Sequence, residues 1–144
     1  MRLQLITLQG LQFDEEAYSV TLPTMAGEIG VLSHHQPLLS ALKPGIVTIR
    51  RNATDPDYHL EHYATYGGVV EVADNQVRIL VDEADLGDEI NEQEASAARE
   101  EAERLKATAT TQHELAHAQS LIDRYAVRVK VSQLRHRARR QRRD

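Results

Sequence analysis

With 144 residues, 41% hydrophobic content and no cysteine, the chain has room for one ordinary domain or two small ones and cannot form disulfides or thiolate metal sites. Aromatic content is only 4%, with no Trp, so any core rests on Leu, Ile, Val and Ala. The formal net charge of -5 conceals a polarity: Asp85 to Arg104 carries eight acids against two bases, and Leu121 to Asp144 nine bases against two acids.

No stretch approaches the ~20 apolar residues of a membrane span, and the N-terminus lacks the Arg/Ser-rich composition of a transit segment. The expectation is a soluble protein that meets a membrane only through partners, with no direct insertion into a bilayer.

The first half, to about Asp85, reads as β. Leu3–Thr7, Tyr18–Leu22, Ile46–Arg50, Tyr58–Thr65, Val69–Val72 and Val77–Val81 are short runs rich in β-branched residues. Turn signals separate them at Pro23, Gly27, Gly30, Pro44-Gly45, Asn52–Pro56, Gly67-Gly68 and Asp74-Asn75. That spacing predicts eight to ten strands in a sandwich or flattened barrel, with a tight hairpin at Asp74-Asn75. The segment Gly27-Glu28-Ile29-Gly30 reads as an irregular, half-buried turn between strands. Its GxxG spacing has neither a strand-to-helix context nor a GK[ST] sequence, so it does not read as a phosphate loop.

The second half reads as helix. Asn91 is placed to cap a first helix, with Glu94 reaching back in a capping box. Ala95, Ala98, Ala102, Leu105 and Ala109 then share one face. The Thr-rich stretch Thr108–Gln112 predicts a turn, and a second helix follows with Leu115, Ala118, Ile122, Tyr125 and Val129 along a stripe. The two stripes suggest an αα-hairpin. Val127, Val131, Leu134 and Ala138 form another stripe, more than 100° around the second helix. A hairpin needs one apolar face per helix, so this one calls for a different cover. The alternation Val127, Val129, Val131 with Arg128 and Lys130 is also compatible with a strand.

Few residues suggest chemistry. His113-Glu114-Leu115-Ala116-His117 is a literal HExxH, which on a helix can hold zinc between two imidazoles with Glu polarising water. A third ligand is missing: no Glu follows Glu114, and Asp123 and His136 lie farther along the same rod. Zinc hydrolysis through residues 113–117 is thus the weaker alternative, and no metal site is expected. His59 and His62 fall on an expected strand, on opposite faces, and read as surface positions. The tail Arg135–Arg143 could serve a nucleic-acid-binding module, but only Tyr125 offers an aromatic platform nearby, so no nucleic-acid partner is expected. No catalytic residues and no cofactor are expected.

One set of motifs is more specific. Gly27-Glu28-Ile29-Gly30-Val31, then His35-Gln36-Pro37-Leu38-Leu39 and Lys43-Pro44-Gly45, then Tyr66–Val72 and Asn75–Asp82 together resemble the epsilon subunit of F-type ATP synthase (delta in mitochondria). The resemblance runs from about Leu3 to Arg135. It implies a β + α architecture: a ten-stranded β-sandwich over residues 1–86, followed by an antiparallel two-helix hairpin with a basic tail over residues 87–144.

It further implies a non-catalytic central-stalk subunit that couples ion-driven rotation to ATP synthesis and inhibits ATP hydrolysis through its C-terminal helices. It sits on the cytoplasmic face of the bacterial plasma membrane as a peripheral part of the complex. The implied partners are the gamma subunit and the c-ring, with alpha and beta in the inhibited state. Glu28, Gly30, His35, Thr7 and Ile46 are the implied contacts to c-ring and gamma. Val127, Arg128, Val131, Leu134 and Arg135 are the implied regulatory helix. A nucleotide pattern in some members is matched only by Ile122 and Asp123, since Ala126 stands at its arginine and Val127 at its alanine. ATP sensing is therefore not expected.

Overall fold

A computed structural model describes residues 1–144 and has eight strands followed by two helices. The strands are β1 Arg2–Thr7, β2 Gly10–Glu16, β3 Ser19–Thr24, β4 Gly27–Leu32, β5 Leu38–Arg50, β6 Glu61–Ala73, β7 Gln76–Val81 and β8 Ala84–Leu86. The helices are α1 Glu92–Thr108 and α2 Gln112–Arg143. The hydrogen-bonded order is β2-β1-β7-β6-β5-β3-β4, with β8 also on β6, and only β1 and β7 run parallel.

Two bent strands turn this single path into a two-layer sandwich. Leu38–Leu42 of β5 pairs with Gly68–Val72 of β6, whereas Pro44–Ile49 pairs with Glu61–Tyr66. On β6 the first segment also carries β8 and the second carries β7. The bend on β6 falls at Gly67 and Gly68, with φ of 108° and 155°. A Cβ on Gly68 would collide with the carbonyl oxygen of Leu80, so only glycine lets the neighbouring strand approach there. The Pro44-Gly45 and Gly67-Gly68 signals, expected to separate strands, instead bend two 13-residue strands that continue through them. Eight continuous strands are observed where ten were expected, and counting each bent strand as two segments recovers the ten.

The other punctuation is mixed. Asp74 and Asn75 both have positive φ, 52° and 58°, as a two-residue hairpin requires, and Ala73 pairs with Gln76 across it. Gly27 marks a turn with φ of 128°, but Gly30 lies in ordinary strand geometry. Residues 27–32 are thus a strand, paired along its length with β3, and not an irregular turn. Tyr58 and His59 lie in a 3₁₀ turn ahead of β6.

Alternation drives the core. Leu3 and Leu5, Val20 and Leu22, Val47 and Ile49, Val70 and Val72, and Val77, Ile79 and Val81 point inward at period two. With Met1, Phe13, Ala17, Val31, Leu42 and Tyr63 they form one cluster of 17 buried residues between the layers.

The helices form as the capping residues direct. The Asn91 side chain accepts from the Glu94 N–H at 3.1 Å, although no reciprocal bond from Glu94 completes the box. Thr111 caps α2 through the Glu114 N–H at 3.1 Å. Ala102 and Ala118 are buried between the helices, while Leu105 and Leu115, at the loop end, stay 45% and 39% exposed. At ~1.5 Å per residue, the 32 residues of α2 outrun the 17 of α1 by more than 20 Å, and this excess lies on the sandwich. Residues 127–131 are helical.

Candidate functional site

Two surfaces concentrate features that folding alone does not require. The first is the outer face of the layer containing β2, β1, β7, β6 and β5. Leu11, Ile6, Leu80, Val69 and Ala41 stand in register on five adjacent strands and make a continuous apolar row across that face. Leu11, Leu80 and Val69 are 55%, 42% and 40% exposed. Leu8 at the rim and Leu39 one pleat along β5 extend it, at 84% and 74%. An exposed apolar band of this length is the mark of a binding face.

The second surface is the seat of α2. Val131 is fully buried against Ala64, Ile90 and Ala95, with Ile46, Tyr66, Val127 and Val129 partly buried around them. Gly87 allows this approach: a Cβ there would stand 3.0 Å from Val131 Cγ1. The second stripe of α2 therefore has a cover within the chain, supplied jointly by the sandwich, the junction at Ile90 and Ala95 of α1.

Charge reinforces the seat. Arg124 pairs with Glu83, Arg128 with Asp85 and Arg135 with Asp88, while His136 Nε2 lies 3.2 Å from Glu92. Tyr66 donates to Asp85 Oδ2 at 2.7 Å and accepts from Arg128 at 3.3 Å. The Arg124 guanidinium lies 4.2 Å from the Tyr66 ring centroid. Burial, then the Asp85 contact, push the Tyr66 hydroxyl far above its usual range, so it stays a neutral donor. The acidic junction and the basic helix, opposite blocks in the sequence, meet side by side.

The five residues expected at the stalk interface do not share one surface. Glu28 and Gly30 are exposed on β4. Glu28 and Ile46 line a shallow cleft of about 260 Å³ with Ala126, Val127 and Lys130 of α2. Thr7 is buried, and its hydroxyl donates to the Gly10 carbonyl and accepts from the Gln9 N–H in the β1–β2 turn. His35 sits in the loop after β4, its Nδ1 2.7 Å from the Gln36 carbonyl oxygen. The neighbouring His34, at φ 63°, donates its N–H to Asn75 Oδ1.

Of the proposed regulatory set, Val127, Arg128, Val131, Leu134 and Arg135 are all buried or half-buried. Ile122 is half-buried, and Asp123 is exposed and accepts from Gln119 at 2.9 Å.

The HExxH has a structural explanation. Glu114 accepts from the Thr110 N–H at 2.9 Å and hydroxyl at 3.2 Å, which lowers its pKa and secures the start of α2. His113 and His117 are exposed. No three His, Cys, Asp or Glu side chains come together in a metal-binding group. The tail is likewise partly engaged, through Arg135 and Arg139 at Asp88.

The apolar row escaped the sequence reading because it is a cross-strand feature, visible only once the register is known. The salt-bridge ladder could have been anticipated from the two charge blocks, but only by pairing residues more than forty positions apart.

Residues 1–87 match the family described as ATP synthase, Delta/Epsilon chain, beta-sandwich domain. The chain is 35% identical over 135 residues to an ATP synthase epsilon chain of Herpetosiphon aurantiacus, covering 94% of this chain and 96% of that one. An epsilon chain of Chloroflexus aggregans is 33% identical over 141 residues, 98% of each chain. Among solved structures, a chain of the Euglena gracilis mitochondrial ATP synthase OSCP/F1/c-ring assembly shares the fold at a TM-score of 0.78. It is 24% identical, covering 91% of this chain and 79% of that one.

Proposed function

The chain belongs to the ATP synthase delta/epsilon family, and on that premise we propose how its two surfaces serve the central stalk of a rotary F-type enzyme. It is one component of a larger complex, and its own role there is non-catalytic. The sandwich binds the gamma subunit and rests against the c-ring, so that ion-driven rotation reaches the catalytic head. The subunit is held at the cytoplasmic face of a bacterial membrane through these partners; no helix is long and apolar enough to cross a membrane.

The observation that carries this reading is the apolar row Leu11–Ile6–Leu80–Val69–Ala41, a band suited to a protein partner. Leu80→Asp tests it. Leu80 is exposed on a strand whose inward neighbours are untouched, so the fold should survive. Co-purification with gamma should fall about tenfold or more if Leu80 is an anchor. Normal recovery of gamma with the variant would remove this face from the interface. Glu28 and Gly30 on β4 and His35 beyond it supply a polar contact toward the c-ring and gamma. Ile46, covered by α2, becomes available only when that helix leaves.

The helix is the regulatory part. When α2 leaves the sandwich, Val127, Val131 and Leu134 are exposed for gamma, and Arg128 and Arg135 for acidic positions on beta. In that state ATP hydrolysis is blocked. The docked arrangement competes with it, because the same residues cannot serve both sets of partners.

A further inference from the structure

Between the sandwich and the last turns of α2 lies a cavity of about 290 Å³. The sandwich contributes Arg51, His59, Glu61 and His62 to its wall, the junction contributes Asp88, and α2 contributes Arg135 and Arg142. Both carboxylates are already engaged. Glu61 receives Arg51 at 2.8 and 3.2 Å, and Asp88 receives Arg135 with Arg139 at 3.7 Å. Arg142, His59 and His62 form no ion pair.

His62 offers a free ring nitrogen to the cavity. Its Nδ1 is 3.0 Å from the Thr48 hydroxyl, and its Nε2 has no protein partner. Burial, then the neighbouring Arg135, hold the imidazole below its ordinary value of 6.5. His62 is thus a neutral, half-buried imidazole with one unpartnered ring nitrogen, and the exposed Arg142 across the cavity forms no ion pair.

We propose that this cavity binds a small tetrahedral polyanion of the phosphate class, held chiefly by Arg142, His62 and His59. An arginine fork matches two oxygens of such an anion, and the half-buried His62 adds its free ring nitrogen from the cavity wall. The volume lies at the lower edge of known ligand sites, which suits an anion of phosphate or pyrophosphate size. The bound anion bridges the end of α2 to the sandwich, so its concentration stabilises the docked helix by mass action. Binding itself does not depend on the regulatory role proposed for that helix.

Calorimetric and NMR titrations of the full chain with inorganic phosphate, with pyrophosphate, and with chloride at matched ionic strength test the site. Saturable binding of either phosphate species is expected, with the His62 resonances titrating at higher pH in its presence. Free phosphate as the tighter ligand identifies the small anion itself, and pyrophosphate as the tighter ligand identifies the phosphoryl group of a larger molecule; both support the site. Arg142→Gln and His62→Gln should each weaken binding about fivefold or more, while Arg99→Gln, outside the cavity, leaves it unchanged. Truncation after Gln141 removes Arg142 without touching the seat of Val131 and should reproduce the Arg142→Gln loss. No saturable binding beyond the chloride control, or equal affinity in the Arg142 and His62 variants, would overturn the proposal.

Discussion

The sandwich and the seat of α2 are held by different physics. The sandwich closes on 17 buried residues, nearly all aliphatic, between two layers of paired strands. The seat of α2 has a buried apolar cluster of only four residues, of which two are alanine, and a ladder of ion pairs at its edge. Burial of apolar area at roughly 25 cal/mol per Å² is insensitive to salt, whereas half-exposed ion pairs are screened within about 8 Å at physiological ionic strength. The first region is therefore a fixed platform. The second can be released without unfolding the first.

Four substitutions test this contrast, in order of effect. Ile79→Ala, at a fully buried position of β7, should cost about 2–5 kcal/mol of global stability, read by urea unfolding. A cost near zero would mean that the core is loosely packed. Val131→Asp places a charge in the fully buried centre of the helix seat. Hydrogen exchange in the second half of α2 should rise sharply, with sandwich protection unchanged. Parallel loss in both regions would show that they unfold as one unit and would end the comparison.

Asp85→Asn comes next. Asp85 receives Arg128 of α2 and Tyr66 of β6, and only the first contact crosses the seat, so the change should cost about 1 kcal/mol of docking free energy. The salt dependence of α2 protection should diminish in this variant. Equal salt dependence in both proteins would assign the docking to Val131 and its neighbours alone.

The fourth effect is small and depends on pH. Because His62 titrates below its ordinary 6.5 in the folded chain, the unfolded chain binds more protons just below that pH. The stability it contributes is complete above 6.5 and declines as pH falls toward the folded-state value. The charged and titratable groups around it are Arg135, Arg142, Asp88, His59, Glu61 and Arg51, and the acids among them are paired. His62→Gln should flatten the stability profile below pH 6.5. An unaltered slope would place the pH dependence elsewhere.

The same contrast explains which features could be read in advance. Local signals were legible: the Asp74-Asn75 hairpin, the Asn91 cap and the turn between the helices all depend on residues within a few positions of one another. The division into a β half and a helical hairpin followed from β-branched runs between turn signals in the first half and three-four spacing in the second. What could not be read was long-range. Gly67-Gly68 and Pro44-Gly45 carry the chemistry of a break, and only the partner strands reveal that they bend continuous strands. The cover of Val127 and Val131 is equally non-local, since the burial of Ala64 beneath α2 depends on sheet register. The missing third ligand already argued against zinc at residues 113–117, but spacing alone could not show that Glu114 instead secures the start of α2 through Thr110.

The central claim is that α2 is a detachable brake on a fixed platform. Its most direct test is ATP hydrolysis by the assembled complex carrying a chain that lacks residues 127–144. The platform account predicts that the truncated subunit still assembles with gamma and that ATPase activity rises. Unchanged hydrolysis in a complex shown to retain the truncated subunit would contradict it and leave α2 a structural role only.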